Sequence, residues 1–174
     1  YDMDAELRSE NSIENIYIEQ GVTNIKKFIF ENFTALTSVE IPDSVVSIEQ
    51  SAFQGCVKLS SVKIGNGVTS IGRYAFNDTA IYRDSSKWQS KVLYIGDYLI
   101  ISEVTIKNQY TIKENTKAIA DFAFYECTLL TDVVIPNSVK RIGENAFAKC
   151  LTLKNIKFKG TQSQWEDIQK GTYW

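Results

Sequence analysis

Apolar residues recur along this chain in one spacing. With Val39 as position zero of a unit, Ile41 falls at plus two, Ile48 at plus nine, Phe53 at plus fourteen, Cys56 at plus seventeen and Leu59 at plus twenty. Units open at Ile16, Val39, Val62, Tyr110 and Val133, with a sixth at Ile156, in steps of 23, 23, 48, 23 and 23. Plus nine is always isoleucine (Ile25, Ile48, Ile71, Ile119, Ile142) and plus fourteen always phenylalanine (Phe30, Phe53, Phe76, Phe124, Phe147). A period of this length marks a stack of small units, each burying its apolar side against the next.

Local chemistry predicts what one unit looks like. The apolar-polar-apolar opening, as in Val39-Glu40-Ile41, has the period of a strand whose middle residue points outward. Pro42 and Pro136 follow where that strand must end. An extended piece such as Ser44–Ile48 returns a valine and the isoleucine to the core. A short helical turn then carries Ala-Phe and, three residues on, cysteine or its substitute. Unit one has Ile29 in place of the alanine, so its turn should stand slightly further out. Equivalent strands of successive units would pair in parallel at about 4.8 Å, giving an α/β coil of right-handed sense.

The step of 48 breaks the register. Within the extra segment, 85–109, two apolar runs (Val92–Ile95 and Tyr98–Ile101) flank Gly96-Asp97, a Gly-first loop that signals a β-hairpin. Two readings are open. In one the segment is a divergent coil whose aromatics pack over the stack. In the other a protruding hairpin offers Trp88, Tyr94 and Tyr98 as a contact surface. So apolar a run wants cover on at least one face, which favours the first.

Ile41-Pro42-Asp43-Ser44-Val45, with Ile48, Ala52-Phe53, Cys56 and Leu59 behind it, resembles the BspA-type leucine-rich repeat of bacterial surface proteins. Ile135-Pro136-Asn137-Ser138-Val139, followed by Ile142-Gly143, Ala146-Phe147, Cys150 and Leu153, is similar again. Phe158-Lys159-Gly160-Thr161 with Gln164-Trp165 and Ile168 looks like the segment that caps such arrays. The resemblance implies a curved leucine-rich-repeat solenoid, usually exported, often used for adhesion or host-protein binding, and without catalytic activity. The chain then reads as one domain over 1–174. Residues 1–15 would be an N-terminal cap or partial repeat, 16–84 repeats one to three, 85–109 the hairpin insertion, 110–155 repeats four and five, and 156–174 the C-terminal cap.

Composition narrows the chemistry. A net charge of −2 gives no electrostatic reason to expect nucleic acid or an anionic membrane, and no apolar run approaches the roughly 20 residues that span a bilayer. The chain opens on Tyr1 with no export signal, which reads as a mature fragment of a longer precursor. With no histidine, the commonest general base and metal ligand is missing. Asp121 and Glu144 share the plus-eleven column, but the same slot holds Lys27, Gln50 and Arg73, as a solvated stripe would. No catalytic residue, metal ligand or cofactor is expected. Cys56, Cys127 and Cys150 all occupy plus seventeen, where Phe33 and Thr79 also stand, a packing slot that favours free thiols. Cys127 and Cys150 lie one coil apart, within disulfide range of backbone, yet side chains stacked in parallel point the same way.

Binding residues are expected on the outward plus-one column, Tyr17, Glu40, Lys63, Thr111, Val134 and Lys157, along the concave sheet that solenoids use to hold partners. A plus-twelve column (Phe28, Ser51, Tyr74, Phe122, Asn145) adds three aromatics, more simply buried between coils. The expectation is a monomeric, extracellular or surface-attached module that binds a protein, either of the host extracellular matrix or another surface protein. A structural spacer that displays other domains and a carbohydrate-binding face around Trp88 are the alternatives.

Overall fold

The computed structural model describes residues 12–174, which fall into two compact units meeting in sequence at Lys87 and Trp88. Most of the segment expected as an N-terminal cap thus lies outside the described residues. Strands of the first unit are β1 (Asn15–Tyr17), β2 (Asn24–Ile25), β3 (Ser38–Ile41), β4 (Ser47–Ile48), β5 (Ser61–Ile64) and β6 (Ser70–Ile71). They form two parallel sheets, ordered β1-β3-β5 and β2-β4-β6. Ile16 is in register with Val39 and Val39 with Val62, while Ile25, Ile48 and Ile71 line up in the second sheet. The repeat of the sequence is therefore the register of the sheets, and the unit is a β-solenoid. Val39 and Ile41 are buried and Glu40 between them is exposed, as strand alternation requires.

The segment expected as a helical turn is built differently. Phe28, Ser51 and Tyr74 have φ of 61°, 55° and 62°, and four residues on Asn32, Gly55 and Asp78 have φ of 62°, 73° and 57°. Two left-handed positions thus bracket the Ala-Phe pair in each coil. A continuous helix would spend its N–H groups internally. Here they alternate: Ile29, Glu31 and Phe33 donate three residues back, whereas Phe28, Phe30 and Asn32 donate to the carbonyls of Gln50, Ala52 and Gln54 in the next coil. Ser51, Phe53 and Gly55 do the same to Arg73, Ala75 and Asn77. The corner is a third inter-coil ladder. Each non-glycine left-handed residue costs roughly 1–2 kcal/mol. A net gain of about 1 kcal/mol per backbone bond, with the packing that the ladder enforces, offsets it. Between the brackets the rings of Phe30 and Phe53 lie 5.2 Å apart, and those of Phe53 and Phe76 5.4 Å apart. The expected file of phenylalanines is present.

The first unit ends in α1 (Ala80–Arg83) and a 3-10 turn at Ser85–Lys87. Thr79 stands at plus seventeen because its hydroxyl caps α1, accepting from the Tyr82 N–H at 3.2 Å. Ile81 is buried, and its N–H donates to the Leu59 carbonyl.

The second unit opens with β7 (Trp88–Gln89), β8 (Val92–Ile95) and β9 (Tyr98–Ser102), an antiparallel arrangement turning at Gly96 (φ 58°) and Asp97. The hairpin is as expected. Next come β10 (Lys107–Thr111), β11 (Ala118–Ile119), β12 (Leu129–Ile135), β13 (Arg141–Ile142), β14 (Asn155–Phe158), α2 (Gln162–Glu166) and β15 (Gln169–Lys170). The sheets run β10-β12-β14 and β15-β13-β11-β9-β8-β7. Because β9 pairs in parallel with β11, setting Leu99 beside Ile119, the hairpin's second strand occupies the place of a coil strand. The insertion is a divergent coil, with every residue of β8 buried. Left-handed residues recur at Phe122, Glu126, Asn145 and Lys149, and the Phe124 and Phe147 rings stack at 5.1 Å.

The end of the second unit is closed as the sequence suggested. Thr161 and Gln164 form a capping box at α2, which sets the Trp165 ring against Phe158 at 5.5 Å and lets Ile168 bury behind it. Among the described residues, helix is confined to α1, α2 and the 3-10 turn.

Candidate functional site

Three outward-pointing strand residues meet on one face of the first unit. Register places Tyr17 beside Glu40 and Glu40 beside Lys63 on β1, β3 and β5. The Lys63 ammonium pairs with the Glu40 carboxylate, which raises Lys63 above the usual lysine range. Tyr17 is 88% exposed, the barest large apolar side chain described. It lies over solvent in a position that β-alternation dictates, so its exposure follows from the strand rather than from poor packing.

The chain beyond these strands forms the opposite wall. Pro42 ends β3, and Gly65 follows β5 at the equivalent position, its N–H donating to the Ile41 carbonyl at 2.8 Å. A Cβ on Gly65 would meet the Pro42 and Asp43 backbone at 2.6–2.7 Å, so only glycine lets the two coils close there. Asp43 Oδ1 accepts the Asn66 N–H at 2.6 Å and fixes that wall. The strand residues and the turns that follow them line a groove of about 580 Å³, to which Tyr17, Glu40, Lys63, Gln20, Asp43 and Asn66 contribute. Two carboxylates against one ammonium leave it one negative charge in excess.

The remaining expected residues fall elsewhere. Thr111 and Lys157 belong to the second unit, exposed on either side of Val134 in register. Val134 itself, expected to point outward, is only 9% exposed. Trp88 is half-buried on β7. Tyr94 and Tyr98, at 7% and 1% exposure, are interior residues, which removes them from any contact surface. The reason is the place of the hairpin in the stack: β8 and β9 are central strands of a sheet covered on both faces. Burial of the Tyr94 hydroxyl is met by Tyr110 at 3.0 Å and by the Lys113 N–H at 3.2 Å.

The carboxylates at plus eleven are also accounted for. Asp121 Oδ1 accepts the Glu144 N–H at 2.8 Å and ties two coils together, while burial pushes its carboxyl up. Sequence reasoning missed Asp43, Gln20 and Asn66 as wall residues. Their signal was position, four residues after each strand opening, where the first five units carry a polar residue (Gln20, Asp43, Asn66, Glu114, Asn137). Among the described residues no group of three or more His, Cys, Asp or Glu side chains could hold a metal ion, and no helix is long and apolar enough to cross a membrane.

Comparison with known proteins gives the family. Among solved structures, the chain is similar to a leucine-rich cell surface protein of Faecalibacterium prausnitzii at 30% identity, covering 90% of this chain and 35% of that one, with a TM-score of 0.44. It is similar to the T. pallidum leucine-rich-repeat protein at 26% identity, covering 82% and 57%, with a TM-score of 0.44. A leucine-rich-repeat protein of Bacteroides ovatus matches at 17% identity over 83% and 43%, with a TM-score of 0.38. The chain thus spans about a third of the first and just over half of the second. No curated protein matches it. The BspA-type leucine-rich-repeat region matches in six copies, over residues 5–108 and 93–173. On that match, which takes in both units and every repeat column described above, the chain belongs to the BspA-type leucine-rich-repeat family.

Proposed function

We propose that this chain is a non-catalytic protein-binding module of an exported bacterial surface protein, and that it holds its partner in the groove of the first unit. The observation that carries the reading is the bare Tyr17 ring beside a walled, mildly acidic groove. Exposed tyrosines contribute disproportionately to binding because they bury a large area at little entropic cost. An extended segment of a partner protein suits the site, with an apolar residue laid on Tyr17 and a basic one beside Asp43 and Glu40. Partners of the host extracellular matrix or of another surface protein are the classes to test. A carbohydrate face around Trp88 is disfavoured, since its two tyrosines are interior.

The test is interferometry of the immobilised chain against a panel of matrix and bacterial surface proteins, with a glycan array alongside. Tyr17→Ser and Asp43→Lys should each weaken the protein hit about tenfold or more, while Thr111→Ala and Lys157→Ala leave it unchanged. No protein hit for the unaltered chain, or a hit indifferent to the groove substitutions, overturns the reading.

A further inference from the structure

The three thiols are not equivalent. Cys56 has Phe33 and Thr79 at the same slot in the neighbouring units, so no second sulfur stands beside it. Its Sγ donates to the Phe30 carbonyl at 3.0 Å, and burial pushes its pKa up to about 11. Cys127 and Cys150 occupy successive coils of the second unit. The backbone between those coils is locked immediately before them, by Phe124 N–H to Ala146 and Glu126 N–H to Ala148 at 2.7 and 3.0 Å. Hydrogen-bonded coils stack at about 4.8 Å, a spacing that falls within the roughly 4.4–6.8 Å between Cα atoms that a disulfide accepts.

Their polar contacts form a short row. Ser102 Oγ lies 3.1 Å from Cys127 Sγ, and one coil on Cys150 Sγ donates to the Phe124 carbonyl at 3.0 Å. Exposure grades along it. Cys127 is fully buried and Cys150 half-buried, followed by the bare side chain of Leu151.

We propose that Cys127 and Cys150 are a site of reversible covalent cross-linking between adjacent coils, formed by exchange with a small-molecule disulfide. The half-exposed Cys150 gives up its proton to water and attacks one sulfur of the reagent RSSR, giving a Cys150–S–S–R mixed disulfide and releasing RS⁻. Cys127, after losing its proton, attacks Cys150 Sγ and expels the second RS⁻. The balance is two protein thiols and one RSSR going to one protein disulfide and two RSH. The neighbouring Cys127 and burial hold the Cys150 proton more tightly than in a free thiol, so formation of the Cys150 thiolate limits the first step. Accessibility decides the order: the reagent reaches Cys150, and the buried partner resolves the adduct. Closing the bond requires Cys150 to release the Phe124 carbonyl and Cys127 to release its 3.7 Å contact with the Glu103 carbonyl.

The test equilibrates the whole chain with a gradient of reduced and oxidised glutathione, quenches it with acid, and counts thiols after denaturation. The expected result is a fall from three thiols to one, with a tryptic peptide pair joined through Cys127 and Cys150 and Cys56 still free. Cys56→Ser should still lose two thiols. Cys150→Ser should lose none at Cys127, its buried thiol being out of reach. Cys127→Ser should stop at the glutathione adduct on Cys150. Three thiols persisting under the most oxidising mixture overturns the proposal. So does an adduct on Cys150 in the unaltered chain that is never resolved, or a link involving Cys56.

Discussion

The rings of Phe53 and Phe76 lie 5.4 Å apart and 3° from parallel, one coil above the other. With Phe30 on its other side, Phe53 is an interior member of a file rather than an end, and it is fully buried. Truncation at this position therefore opens a cavity that neighbouring backbone, pinned by inter-coil hydrogen bonds, cannot fill.

Phe53→Ala should cost about 3–5 kcal/mol and Phe53→Leu markedly less. Thermal melts of the two variants beside the unaltered chain check this. Equal losses would mean that the file is held by the corner ladder and not by its rings.

The left-handed corners predict unequal effects for one substitution pair in the same column. Lys149 (φ 60°) makes only surface contacts, an exposed ion pair with Glu126 at 2.8 Å and a ring contact with Tyr125, so relief of the backbone should offset their loss and leave Lys149→Gly within about 1 kcal/mol of neutral. Gly55→Ala should destabilise by about 1 kcal/mol or more, since a Cβ at φ 73° is strained and would meet Asn32 Oδ1 at 2.1 Å. Chemical denaturation of both variants is the measurement.

Asp121 and Glu49 should bend the stability–pH curve in opposite senses. Burial raises the Asp121 carboxyl, so the folded chain holds this proton more tightly than the unfolded one. Stability from this group is present at low pH and falls as pH rises from the ordinary 3.8 through the folded value. Glu49 is lowered, first by the Lys27 N–H and then by Lys26, so its contribution is present above 4.5 and fades as pH falls through the depressed value. Melting temperatures across the acid range should lose the first trend in Asp121→Asn and the second in Glu49→Gln.

The cap at α2 rests on one hydroxyl. Thr161 Oγ1 accepts the Gln164 N–H at 3.2 Å, and the Gln164 side chain accepts the Thr161 N–H at 2.9 Å. Thr161→Ala should cost about 1 kcal/mol and loosen Trp165 from Phe158, read as a red-shifted tryptophan emission. Thr161→Ser should restore both.

The repeat columns were legible because strand register and apolar spacing are one constraint: a side chain that misses its counterpart by one residue faces water. The hairpin at Gly96-Asp97 was legible for a similar local reason. The corner was not. Its positive φ is carried at the first bracket by Phe28, Ser51, Tyr74 and Phe122, residues that do not advertise a left-handed backbone, while Asn32, Gly55, Asp78 and Asn145 are the types that tolerate one. Tyr94 and Tyr98 misled because tyrosine suits both a binding face and an interior where its hydroxyl is satisfied, as Tyr94 is by Tyr110. In the candidate site, Tyr17, Glu40 and Lys63 followed from alternation alone. Asp43 and Asn66 needed the folded turns, since only their cross-coil hydrogen bond makes a wall of them.

The corner ladder has a consequence for how such a chain changes length over generations. Between full coils its bonds run 22 positions on, to the residue just before the matching one, as Phe28 to Gln50 and Phe53 to Ala75 do. Duplicating or deleting a whole 23-residue rung re-forms the same bonds across the seam, whereas a gain of another size has to be taken up outside the corner ladder, as the hairpin of β8 and β9 takes up the step of 48. Recombination between neighbouring rungs is thereby tolerated in whole steps, and array length becomes a heritable variable that selection can tune without redesigning the interior.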